Sequence, residues 1–165
     1  MVKNILSNLK ENKKYAILSP IFVVVEVFMD IALPYLMSLI IDRGISAKSK
    51  EDLLKIGVLL IVSIVIAFVS GIYSGYFATK SSSGLAKNLR ESMFNNIQRF
   101  SFEDVDKFST GSLITRMTTD VQNIQMAFQA SIRIAIRAPL MLIFSFIMSF
   151  RIHRELAMNF LFIFP

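Results

Sequence analysis

At 165 residues the chain is long enough for one ordinary domain, but 54% of it is hydrophobic and only 18% charged, against about 45–50% and about 25% in a soluble domain, and mean hydropathy is +0.57. The absence of cysteine excludes structural disulfides, thiolate metal sites and a catalytic cysteine, and a single histidine, His153, excludes a histidine-based metal cluster. Lys and Arg outnumber Asp and Glu by 18 to 12, a net charge of +6; the hydrophobicity assigns that excess to the cytoplasmic side of a membrane rather than to nucleic acid.

Residues 1–14 carry Lys3, Lys10, Lys13 and Lys14 and read as a cytoplasmic N-terminus. From Tyr15 to Ile41, 27 residues hold only two charges, Glu26 and Asp30. A hydrocarbon core of ~30 Å needs about 20 helical residues, so 15–41 is expected to be a first span. It is too long for a signal-peptide core of about 7–15 residues, and no small-residue cleavage site follows. Glu26 and Asp30 are four apart and share a helix face, where ionised carboxylates are costly. The functional reading makes them a cavity wall that attracts cationic substrates or carries protons. The plainer one has them protonated, or paired with an arginine on a span beyond these residues. Pro34 is expected to kink the same span.

From Leu53 to Ala78 the only charge is Lys55, which gives a second span at 53–78. Ser63, Ala67, Gly71 and Gly75 repeat every four residues along it. Gly71-x-x-x-Gly75 is a close-packing pattern that lets another helix backbone approach.

Residues 79–131 are too polar to cross a bilayer, yet they contain no proline and only two glycines, Gly84 and Gly111. Leu85, Leu89, Met93, Ile97 and Phe100 step by four or three, and so do Leu113, Met117, Val121, Ile124 and Phe128. These are two amphipathic helices, one leaving the membrane and one returning to it. Each is expected to project about 33 Å. Between them Ser101 and Asp104 resemble a capping box, Ser109 or Thr110 can cap the returning helix, and Gly111 is expected to relieve the turn. The tip therefore reads as a helix of about two turns near 101–109. It exposes Phe102, Val105 and Phe108 among three acids. Those side chains either pack back on the hairpin or form a docking knob for a partner protein.

The apolar run Ala138–Phe150 extends back to Ile132, giving a third span at 132–150. Arg133 and Arg137, near its inner start, are expected to snorkel to lipid headgroups. The short run within 155–165 reads as the start of a fourth span. With the N-terminus inside, cytoplasmic segments hold 12 Lys and Arg and external ones 6, which favours that orientation.

The stretch Phe-Ser-Phe-Glu-Asp-Val-Asp-Lys-Phe-Ser-Thr-Gly-Ser-Leu-Ile-Thr-Arg-Met-Thr-Thr-Asp-Val, residues 100–121, resembles the first intracellular loop of ABC exporter transmembrane domains. Its core, Gly-x-Leu-x-x-Arg-x-x-x-Asp-Val, falls on Gly111, Leu113, Arg116, Asp120 and Val121. Pro34 through Ile-Ile-Asp-Arg-Gly-Ile (40–45) looks like the family's first-span exit, and Pro165 lies where its fourth span often carries a proline. The chain is similar to subunits of bacterial heterodimeric multidrug exporters.

This resemblance implies an all-α membrane protein, an incomplete helical bundle over 1–165 whose spans extend into a long cytoplasmic helical hairpin. In the family, six spans precede a nucleotide-binding domain. No Gly-x-x-x-x-Gly-Lys-[Ser/Thr] phosphate loop occurs in the 165 residues. The resemblance therefore assigns ATP and Mg to a nucleotide-binding domain absent here, and expects no cofactor, metal or catalytic residue in this chain, which by itself is not an enzyme. It implies that Phe102, Val105 and Phe108 seat in a groove of that domain, with Asp104 and Asp106 facing its basic residues. Gly111, Arg116 and Asp120 complete the coupling set, the last two tying neighbouring helices together.

The implied partners are the lipid bilayer, the nucleotide-binding domain, a second half-transporter (identical or not) and a small-molecule substrate. The implied setting is the bacterial plasma membrane, crossed several times. The implied function is ATP-driven export of hydrophobic or cationic drugs or lipids by alternating access. The alternative is a membrane-anchored helical signalling protein. A receptor hairpin would run much longer in heptads and end in the cytosol, whereas this one re-enters the membrane.

Overall fold

The computed structural model describes residues 8–46, 49–100 and 109–152, and every regular element among them is helical. A short 3-10 turn, Lys10–Asn12, leads into α1, Lys13–Leu39, which continues as a π-helical turn over Ile40–Ser46. Helix α2 is a single run, Lys50–Ile97. After the tip come α3, Thr110–Thr115, a second π-helical turn, Arg116–Asp120, and α4, Val121–Ile152. The expected tip helix and the expected fourth-span start lie outside the described residues, except for Ser109.

Among the described residues, three stretches are long and apolar enough to cross a membrane: Lys13–Ser46 (34 residues), Lys50–Ile97 (48) and Thr110–Phe150 (41). At 1.5 Å per residue α2 is about 70 Å long, more than twice a ~30 Å hydrocarbon core. An uninterrupted helix of that length cannot be contained in the bilayer. This is why the apolar pattern of its first half gives way to an amphipathic one in its second.

Local chemistry explains the boundaries. Ser49 receives the amide of Asp52 at 3.3 Å, and Glu51 and Asp52 lie in the first turn of α2, where the helix dipole favours acids. Ser109 caps α3, its hydroxyl accepting from the Ser112 amide. Gly111 differs from expectation. It lies within the first turn of α3 with open space where a Cβ would be, so it relieves no turn. The glycines that do answer to space are Gly84, where the Asn12 side chain fills the place of a Cβ, and Gly44, buried in the first π-helical turn. A Cβ at Gly44 would stand 2.9 Å from Leu53 Cδ1 and 3.3 Å from Leu53 Cα.

The chain divides into two compact units, Met1–Pro20 with Ser74–Arg133 and Ile21–Tyr73 with Ile134–Pro165. In the first, Leu9, Ala78, Leu85, Ala86 and Val121 form the buried apolar core. Ser19 Oγ donates to the Ser74 carbonyl at 3.0 Å. The N-terminal segment is fastened where Asn88 Nδ2 donates to the Asn8 carbonyl (2.7 Å) and Ser92 Oγ to Asn8 Oδ1 (3.1 Å). The arms of the hairpin are joined by a polar ladder. Gln129 Nε2 donates to Thr79 Oγ1 (2.9 Å), Gln125 Nε2 to Ser83 Oγ (3.2 Å), and Arg90 Nε to the Met117 carbonyl (3.3 Å) in the second π-helical turn. Lys80 Nζ sits 4.4 Å from the Tyr15 ring centre, a cation–π contact. In the second unit Val23, Val27, Leu36 and Ala67 are buried, and Phe28 meets Phe144 edge to face at 6.1 Å.

Candidate functional site

Three charged residues of the second unit converge. Glu26 and Asp30 lie one turn apart on α1, so both carboxylates leave the same face of the helix. Arg137, on α4, reaches both. Its Nη1 donates to Glu26 Oε1 at 2.7 Å and its Nη2 to Asp30 Oδ2 at 2.9 Å. A planar guanidinium suits this role, because its fixed fork holds two acceptors at once where a lysine ammonium offers a single point charge. Gly71 of α2 lies against the pair: a Cβ there would stand in ordinary contact, 3.5 Å from the Glu26 carboxyl carbon.

This arrangement corrects the sequence reading of Arg137. It does not snorkel away to headgroups. The two carboxylates of α1 hold it, and their partner comes from this chain rather than from a span beyond it. The exposures are graded, with side chains 10% exposed at Glu26, 27% at Asp30 and 40% at Arg137. The carboxylates thus lie deeper than the cation that bridges them. With all three ionised the cluster carries a formal charge of −1, and the surrounding apolar helices strengthen every interaction within it.

The other sequence-singled residues are placed as follows. Gly75 faces Arg133, whose Nη1 would lie 3.8 Å from a Cβ at that glycine. The two glycines of the Gly-x-x-x-Gly pattern therefore each stand beside a charged side chain. The buried positions of α2 include Ser63 and Ala67 of the same small-residue strip, together with Ser70, Ser74, Ala78, Ser81, Ser82, Leu85 and Ala86. Arg116 and Asp120 are exposed and bracket the second π-helical turn, where the wider hydrogen-bond register removes the ordinary four-residue stacking. Phe102, Asp104, Val105, Asp106 and Phe108 lie outside the described residues.

Comparison with known proteins agrees with this architecture. Residues 16–165 match the model of the ABC transporter transmembrane region, and the chain belongs to that family. It is 30% identical over 92% of its length to the uncharacterised ABC transporter ATP-binding protein YfiB of Bacillus subtilis, of which it covers 26%. It is 29% identical over 83% of its length to an ATP-dependent lipid A-core flippase of Pseudoalteromonas translucida, covering 24% of that protein. A lipid A-core flippase 2 of Colwellia psychrerythraea is 30% identical over 84% of the chain, which covers 24% of it. The chain thus spans about a quarter of the length of these relatives. It is a multi-pass membrane protein of the ABC transporter class.

Proposed function

We propose that the chain is part of the transmembrane subunit of an ATP-driven exporter, moving hydrophobic or cationic drugs or lipids out of a bacterial cell by alternating access. In this reading the N-terminus is cytoplasmic and the membrane is the plasma membrane. Residues 101–109 couple the spans to a nucleotide-binding domain that holds ATP and Mg, and a second half-transporter completes the pathway. Glu26 and Asp30 belong to the wall of the substrate cavity.

The observation that carries the reading is the Glu26–Arg137–Asp30 cluster within helices of a transporter family. Charges within membrane-crossing helices are expensive, and they mark substrate or ion pathways more often than packing. Two relatives named as lipid A-core flippases support an amphipathic lipid as one cargo class.

The test is transport by the full-length protein carrying Glu26→Gln with Asp30→Asn. Export of cationic compounds should fall well below that of neutral compounds of similar size. Cysteines placed singly at 26 and 30 should react with a water-soluble thiol reagent, in a chain that has no native cysteine. Complete protection at both positions in every nucleotide state would place the pair in a dry helix contact and remove it from the cavity.

A further inference from the structure

Resting on the cavity reading of Glu26 and Asp30, we propose that the Arg137 guanidinium is a displaceable resident counter-ion. A lipophilic monocation takes its place on the two carboxylates, so that cargo and Arg137 occupy them alternately.

The structure already shows a cation seated there, with Nη1 on Glu26 and Nη2 on Asp30 at 2.7 and 2.9 Å. Any cationic cargo drawn to these carboxylates meets a site that is taken. The guanidinium is also the most exposed of the three groups, at 40% against 10% and 27%. It therefore covers the carboxylates from the open side, and an arriving cation encounters it first. On the α2 side Gly71 packs against the Glu26 carboxylate, whose Oε2 is buried, so that flank is closed and a ligand reaches the pair from the side the guanidinium covers.

Charge conservation favours exchange over simple addition or loss. Losing Arg137 with nothing in return would leave two carboxylates facing each other in an apolar setting, at a cost that rises as the local dielectric falls. Replacing one positive charge with another leaves the net charge of the seat unchanged throughout. The arginine stem makes the motion feasible. Its flexible methylenes can remain on apolar surface while the head moves toward water, the posture that arginines near a span end adopt without partners. The cargo class follows from the seat: a monocation with an apolar body and N–H donors able to replace those of the guanidinium. Return of Arg137 to the carboxylates would then oppose rebinding of released cargo.

The experiment is equilibrium binding of rhodamine 6G, a fixed lipophilic monocation with N–H groups, to the full-length protein in nanodiscs. Fluorescence anisotropy is read against empty nanodiscs. Arg137→Gln should bind the dye about tenfold tighter than the unmodified protein, because a half-buried competing ion pair has been removed. Arg137→Lys, whose point charge cannot span both carboxylates, should also bind tighter, by a smaller factor. It carries the comparison if Arg137→Gln does not fold. Glu26→Gln with Asp30→Asn should weaken binding about tenfold or more. Equal or weaker binding by the folded Arg137 variants, with binding still lost in the carboxylate variant, overturns the exchange but leaves the cavity reading standing. Unchanged binding in the carboxylate variant, or no binding to any of these proteins, overturns both.

Discussion

Neutralising Arg137 is the sharpest stability test of the cluster, because it removes the shared partner of two carboxylates at once. Removing one partner of a fully buried ion pair costs about 3–5 kcal/mol, whereas an exposed pair contributes about 0–1. The Glu26 pair joins a 10% exposed carboxylate to a 40% exposed guanidinium, and the Asp30 pair a 27% exposed one to the same group. Interpolation gives a coupling of about 2 kcal/mol for Glu26–Arg137 and about 1 for Asp30–Arg137. Arg137→Gln should therefore destabilise the full-length protein by about 3 kcal/mol. Glu26→Gln should cost about 2 kcal/mol more in the unmodified protein than in one that already lacks Arg137. Thermal unfolding in a fixed detergent, followed by circular dichroism across both double-mutant cycles, measures these couplings. Interhelical hydrogen bonds in membrane proteins average about 0.6 kcal/mol, so an ion-pair coupling of about 2 stands clear of that background. Additive cycles, within about 0.5 kcal/mol, would refute the cluster as an energetic unit, and a larger coupling for Asp30 than for Glu26 would refute the burial argument.

Gly44→Val should destabilise by about 1–3 kcal/mol, because the new Cβ would press on Leu53 Cδ1 and Cα, whereas Gly57→Ala, which meets nothing within 4 Å, should be neutral or stabilising in the same melting assay. Replacing Phe102, Val105 and Phe108 together by Ser should uncouple ATP hydrolysis from transport while leaving membrane insertion intact. Drug-stimulated hydrolysis and transport equal to the unmodified protein would end the docking-knob reading of the tip.

The long apolar helices were legible because length and hydropathy report directly on them, and because no proline or glycine interrupts residues 85–100. The shared face of Glu26 and Asp30 followed from a four-residue spacing alone. The arginine that holds them did not. Periodicity within one helix says nothing about its register against another, and an arginine five residues into an apolar run satisfies the snorkelling rule equally well. The π-helical turns were hidden for a related reason. Leu113, Met117 and Val121 step by four across the second one, but Leu85, Leu89 and Met93 take the same steps in unbroken α-helix. Gln125 and Gln129 carry no sequence signal of their contacts, because a polar side chain that bridges two helices has the same sequence signature as one that faces water.

That polar ladder and the charged cluster address one physical problem. Lipid tails are as apolar as leucine, so no hydrophobic force drives membrane helices together or fixes how far one slides along another. Over residues 63–82 the buried stripe of α2 is built of serine and alanine, small side chains that leave it nearly smooth along its axis. A smooth seam tolerates many registers at similar energy. Directional contacts must choose among them. In one unit the choice falls to Ser19 donating to the Ser74 carbonyl and to the Gln129–Thr79 and Gln125–Ser83 bonds. In the other it falls to Arg137 forked between two carboxylates, with Glu26 seated against Gly71. A hydroxyl or amide can trade its partner for water wherever water reaches it, at small net cost. The ion pairs cannot do so within apolar helices; they need another charge. Among the described residues the Arg137 fork is therefore the contact whose rearrangement a charged ligand is best able to drive.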